Sequence, residues 1–180
     1  MKKGVFGRGR GFSTWGERGQ ALVEFGLVSV AFFFLTFGVF DLARLFQSWE
    51  TVQHASREAA RYAITGRQTC DGFSDRDSCI IYTAKHATGG LSDAGDNGIS
   101  PDLIVTTRAW DYDIDTKDWP GGGVANETGM ACDQIEVTVQ YKHKFVLPVL
   151  QAIAPSGIDV VGRQRMTNEP YQPCEDQDGV

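Results

Sequence analysis

The chain has 180 residues, 42 % of them hydrophobic and 22 % charged, with four cysteines and a net charge of −6. That acidic balance argues against a nucleic-acid groove, which needs a basic stripe. There is no Gly-x-Ser-x-Gly elbow, His-Glu-x-x-His pair, Walker loop or dinucleotide fingerprint, and His54, His86 and His143 are scattered. The chain is therefore expected not to be an enzyme and to need no cofactor.

Residues 1–19 carry Lys2, Lys3, Arg8, Arg10 and Arg18 against Glu17, five cations to one anion. An apolar run follows. From Gln20 to Phe40 only Glu24 is ionisable, and at 1.5 Å per residue this stretch spans roughly 30 Å as a helix, enough to cross a bilayer. The positive-inside rule keeps the basic end cytoplasmic and exports the rest. A cleaved secretory signal would show an Ala-x-Ala-like exit, whereas Asp41-Leu42-Ala43-Arg44-Leu45 continues a helical pattern, so a retained single-pass anchor is expected.

Glu24 is the anomaly within the run. A carboxylate costs about 2.5–3.5 kcal/mol at the centre of a membrane helix and marks function by default, although near the interface it can simply reach for water. Gly19 lies five residues before it, and that arrangement ahead of an apolar helix resembles the processing site of prepilins, where a membrane peptidase cuts after the glycine. Cutting there would leave an ammonium on Gln20. Glu24, one turn away, would neutralise that ammonium or the one on a neighbouring subunit, sparing either charge a costly solitary burial.

Beyond the run, Leu42, Leu45, Trp49, Val52, Ser56, Ala59 and Ala63 recur at alternating spacings of three and four, predicting one helical stripe. Gly66 reads as the stop. A single helix over about residues 21–65 is expected, with residues 20–40 in the membrane and 41–66 as its amphipathic continuation. Its outer half, Ala55-Ser56-Arg57-Glu58-Ala59-Ala60-Arg61, is rich in small residues that let another helix or a sheet approach closely.

The Gly19-x-x-x-x-Glu24 start, the apolar helix and the Ala-rich, Arg-containing second half together resemble the TadE family of pilin-like proteins, over about residues 16–66. Gln20 stands where many type IV pilins carry Phe. The resemblance implies a minor pseudopilin of the tight-adherence pilus machinery whose partners are the membrane, a prepilin peptidase and other pilins or pseudopilins. Gly19, Gln20 and Glu24 would form the processing site, and Phe25, Arg57, Ala59 and Arg61 would pack against other subunits. For the Arg57–Arg61 segment, a solvated helix face is the competing reading. For the whole chain, the alternative is an uncleaved, signal-anchored binding domain.

Residues 67–180 are long enough for one small extracytoplasmic core. Cys70, Cys79, Cys132 and Cys174 all fall on the exported side, as disulfides in an oxidising compartment would. Of the three connectivities four cysteines allow, Cys70 with Cys79 is favoured by its short Gly/Ser/Asp-containing loop, leaving Cys132 with Cys174. A metal site would want Cys-x-x-Cys pairs or clustered histidines, and neither occurs.

A short helix is expected over residues 80–87, then turns at Gly89-Gly90 and Asp96-Asn97-Gly98. Leu103–Thr107 reads as a first strand, and Trp110, Tyr112 and Ile114 alternate with Asp111, Asp113 and Asp115 as a second. The three aspartates imitate a calcium loop, but the glycine and glutamate of an EF-hand are missing. Residues 117–130 read as a turn-rich connection around Gly121-Gly122-Gly123. Ile135, Val137, Val139 and Tyr141 define the clearest strand, and another is expected over residues 158–166, with a disordered tail beyond Cys174. The predicted fold is α+β: a long N-terminal transmembrane and amphipathic helix packed on a small antiparallel sheet, laid out as in pilins.

Overall fold

The computed structural model describes residues 15–89, 91, 102–169 and 174. Most of the basic leader, the Asp96-Asn97-Gly98 turn and the tail beyond Cys174 lie outside the described residues. The fold is α+β, a long apolar helix followed by a four-stranded antiparallel sheet. The chain divides between Phe40 and Asp41 into two units.

The first unit is helical from Trp15 onward, the start of α1 (Trp15–Ile64). Its large side chains are exposed from Leu22 to Phe40. A soluble helix buries an apolar stripe, whereas one apolar all round belongs in a large core or in lipid. This is the one helix among the described residues long and apolar enough to cross a membrane.

The second unit holds the rest of α1, then α2 (Arg76–Ala87), β1 (Leu103–Trp110), β2 (Val124–Ala125), β3 (Gln134–His143), α3 (Pro148–Ile153) and β4 (Ile158–Thr167). The sheet order is β2-β1-β3-β4. β3 is central, pairing with β1 from Leu103↔Tyr141 to Trp110↔Gln134 and with β4 from Gln134↔Thr167 to His143↔Ile158. Its period of two puts Ile135, Val137 and Val139 fully inside. They share one core with Val52, Ala55, Ala59, Ala60 and Ala63 of α1 and Ile80 and Ala84 of α2.

Small residues set how closely helix and sheet approach. A Cβ added at Gly162 of β4 would lie 2.5 Å from the Val52 carbonyl oxygen of α1, so only glycine fits there. Gln53 beside it donates from Nε2 to the Val161 carbonyl at 3.1 Å, bonding α1 to β4.

The cysteines join Cys70 to Cys79 and Cys132 to Cys174. The first bridge closes the turn between α1 and α2, and the second ties the entry to β3 to the chain beyond β4. Arg76, buried at the start of α2, donates to the carbonyls of Ala63 and Gly129, each at 2.6 Å, and to Asn168 Oδ1 at 3.0 Å. It thereby links the end of α1, the β2–β3 loop and the end of β4.

Four local expectations change. α2 begins at Arg76 instead of residue 80, because Asp75 caps it by accepting from the Ser78 amide at 3.0 Å. β1 runs unbroken to Trp110, and the second strand expected over 110–115 does not form: after Trp110 the chain enters a turn over residues 114–117, closed by the Asp113–Asp118 bridge. There Asp113 Oδ1 accepts from the amides of Asp115 and Thr116, a local Asx bond that outcompetes a ladder. The stretch over 117–130 contains the short strand β2. Finally, Leu42 and Trp49 of the expected inner stripe are exposed, and Asp41 and Ser48 turn inward in their place.

Candidate processing and assembly site

At the head of the apolar run, Gly19 and Gln20 lie within α1, so the peptide between them is helical. A Cβ at Gly19 would meet nothing within 4 Å, so no packing explains the glycine. What Gly contributes is backbone freedom, which lowers the cost of opening a helical turn by about 0.5–1 kcal/mol relative to Ala. Gln20 donates from its side-chain Nε2 to Glu24 Oε1 at 3.0 Å, one turn on. The geometry brings Gln20 and Glu24 together, with both residues exposed.

The four expected packing residues divide. Phe25 is 71 % exposed, and Arg57 and Arg61 are exposed on the outer part of α1. Ala59 is fully buried in the chain's own core, so its small side chain serves the sheet of the same molecule. Arg57, Trp49, Glu50, Gln53, His54 and Ala87 line a shallow open recess.

A second cluster lies where α1 enters the second unit. Asp41, only 3 % exposed, accepts from the amide of Leu147 at 2.8 Å and of Val146 at 3.1 Å. Arg44 approaches it at 3.9 Å. One turn along, Ser48 Oγ lies 3.2 Å from Nδ1 of buried His143. Burial first, and then the positive charge of Arg44, holds the imidazole below its ordinary pKa, with Asp41 opposing. Hydropathy patterning does not single out this cluster. Its available signal is Asp41, the first acid after an uncharged run and at a spacing of seven from Ser48.

Among the described residues no group of three or more His, Cys, Asp or Glu is arranged to hold a metal ion. Nor does the geometry join a nucleophile, a base and an orienting acid: the Ser48–His143 pair is buried, and Asp41 spends its carboxylate on backbone amides. The arrangement suits anchoring and packing.

No curated protein and no solved structure matches the chain. A family model does. It covers residues 19–61, from the glycine ahead of Glu24 to Arg61, and its description is TadE-like protein. That segment covers most of the one candidate membrane helix among the described residues, compatible with a single anchor, and includes exposed Arg57 and Arg61. Over this segment, 43 of the 180 residues, the chain is similar to TadE-like proteins.

Proposed function

We propose that the protein is a minor pseudopilin of a tight-adherence type pilus, a structural component held in the membrane by the apolar run of α1. Its basic leader stays in the cytoplasm, and the second unit stands on the extracytoplasmic side, where its disulfides persist. A prepilin peptidase removes residues 1–19, and the new terminus at Gln20 pairs with Glu24 during assembly. Phe25, Arg57 and Arg61 face neighbouring pilins.

The observation that carries this reading is the 3.0 Å contact between the Gln20 side chain and Glu24, which puts residue 20 within one helical turn of the carboxylate. An ammonium created at residue 20 is then close enough for a charge-assisted bond, roughly twice as strong as a neutral one.

Intact-mass measurement of the membrane-purified protein from cells with and without prepilin peptidase tests it. The expected result is loss of residues 1–19 only where the peptidase is present. Retention of the leader in both would overturn the pseudopilin reading and leave an uncleaved anchored domain.

A further inference from the structure

Between β3 and β4 the chain reads Phe145-Val146-Leu147-Pro148-Val149-Leu150-Gln151-Ala152-Ile153-Ala154-Pro155, eleven residues without an ionisable side chain. Such a run in a small domain normally lines its core. Here α3, which forms its centre, has no buried residue, and Val146, Val149 and Ile153 are 64 %, 49 % and 76 % exposed. The one polar side chain, Gln151, turns its Nε2 back onto the Phe145 carbonyl at 2.8 Å. Val149 and Ile153, four apart on α3, share a helix face, and with Val146 they leave apolar side chains that nothing in the chain's own fold covers among the described residues.

The place where that surface is held indicates its partner. The amides of Val146 and Leu147, which open the segment, are bound by the carboxylate of Asp41. Asp41 is the residue directly after Phe40, the last of the apolar run, so Cα atoms of the two are only about 3.8 Å apart. The exposed segment is thus fastened, through one side chain, to the point where the chain leaves hydrocarbon. Lys142 precedes it, a long cation that suits a headgroup layer, while Lys144 is paired with Asp102 at 2.7 Å.

We propose that residues 145–155 form a second membrane contact: an interfacial ledge in which Val146, Val149 and Ile153 enter the boundary between headgroups and acyl chains on the extracytoplasmic side. The occupant is lipid. A short apolar helix lying in the interface gains by burying its side chains there without spanning the bilayer. With α1 as the first attachment, the ledge gives the second unit two points of contact and so a fixed orientation on the membrane before assembly. The inference rests on the membrane anchor in the proposed function but not on cleavage after Gly19.

The test uses the full chain in nanodiscs of phosphatidylethanolamine and phosphatidylglycerol, with a diazirine amino acid replacing one residue at a time. Ile153 reports the ledge, and Phe34 reports the anchor. Met130, exposed by 79 % and near the end of β3 opposite His143, reports background. After irradiation, mass spectrometry counts lipid adducts. The expected result is adduct formation at residues 153 and 34, each several-fold above that at residue 130. Adducts at 34 with residue 153 no higher than 130 would overturn the ledge and leave the anchor standing. Cross-links from residue 153 to a second copy in place of lipid would overturn it too, assigning the surface to a subunit. Absence of adducts at 34 would remove the anchor, and the ledge with it.

Discussion

His143 is a basic side chain inside the protein, between Lys142 and Lys144 in sequence yet only 2 % exposed. Period-two alternation on β3 turns Lys142 away and the imidazole in, against Ser48 and the ring of Phe145, while Lys144 lies past the strand's end and pairs with Asp102. Burial and Arg44 hold its folded pKa below the ordinary value, so the folded protein favours the neutral ring. A depressed folded value means that the unfolded chain takes up the proton first as pH falls. The stability this neutral ring contributes is complete above an unfolded pKa of about 6.5 and is lost as pH drops through it. Thermal midpoints in detergent should therefore fall between about pH 7.5 and about pH 5.5, and a His143→Gln variant should show a flatter profile over that interval. Asp75 and Asp113, also held below the ordinary carboxylate value, act below that window. An unchanged slope in the variant would assign the pH response to other groups.

At the scale of elements, the contact between α1 and β4 decides how tightly the second unit closes. Gly162 sits under the backbone of Val52, and a methyl there would lie 2.5 Å from the carbonyl oxygen and 2.9 Å from the carbonyl carbon. Neither atom is a flexible side-chain end, so helix and strand must separate. Gly162→Ala is expected to cost about 1–3 kcal/mol, the range for overpacking a filled interior, read as a lower thermal midpoint by near-ultraviolet circular dichroism. Gly122→Ala, with nothing within 4 Å of the added methyl, should leave the midpoint nearly unchanged. Equal midpoints for the two variants would mean that the helix does not bear on β4. This contact also marks how far periodicity carries a sequence reading. The apolar alternation of β3 and the small residues from Val52 to Ala63 were legible, because in both segments hydrophobicity and burial coincide. Nearer the membrane they part: Leu42 and Trp49 face outward, while Asp41 and Ser48 face inward because each has a hydrogen-bond partner over a hundred or nearly a hundred residues away. Likewise the Asp111, Asp113 and Asp115 alternation imitated a strand, but side-chain bonds to nearby amides made a turn. Such partners are invisible to a local pattern. The contact between Gln20 and Glu24 was legible for another reason: a spacing of four fixes the two side chains about one turn apart on a helix.

For the molecule as a whole, the distribution of charge sets the leader apart from the remainder of the chain. Five cations and one anion through residue 19 give +4 in a chain of net −6, so residues 20–180 carry −10. Removing the leader would take away its topological signal and leave an acidic chain with one new ammonium at the membrane. Within α1 the side chain of Gln20 already donates to Glu24, so the carboxylate has a local partner while the leader is attached. On the proposed cut after Gly19, the new ammonium would become the stronger partner, in the same chain or in the next subunit. Glu24→Gln keeps the size and hydrogen-bonding reach of the side chain and removes only its charge. Insertion and removal of the leader should therefore proceed as in the wild type, since neither draws on that charge. Incorporation into pili should fall by at least about tenfold, because a buried ammonium left without its partner costs about 3–5 kcal/mol. Quantitative immunoblotting of sheared pili against membrane-retained protein reads the difference. Normal incorporation of the variant would show that Glu24 takes no part in assembly, while loss of cleavage would place its role at the peptidase instead.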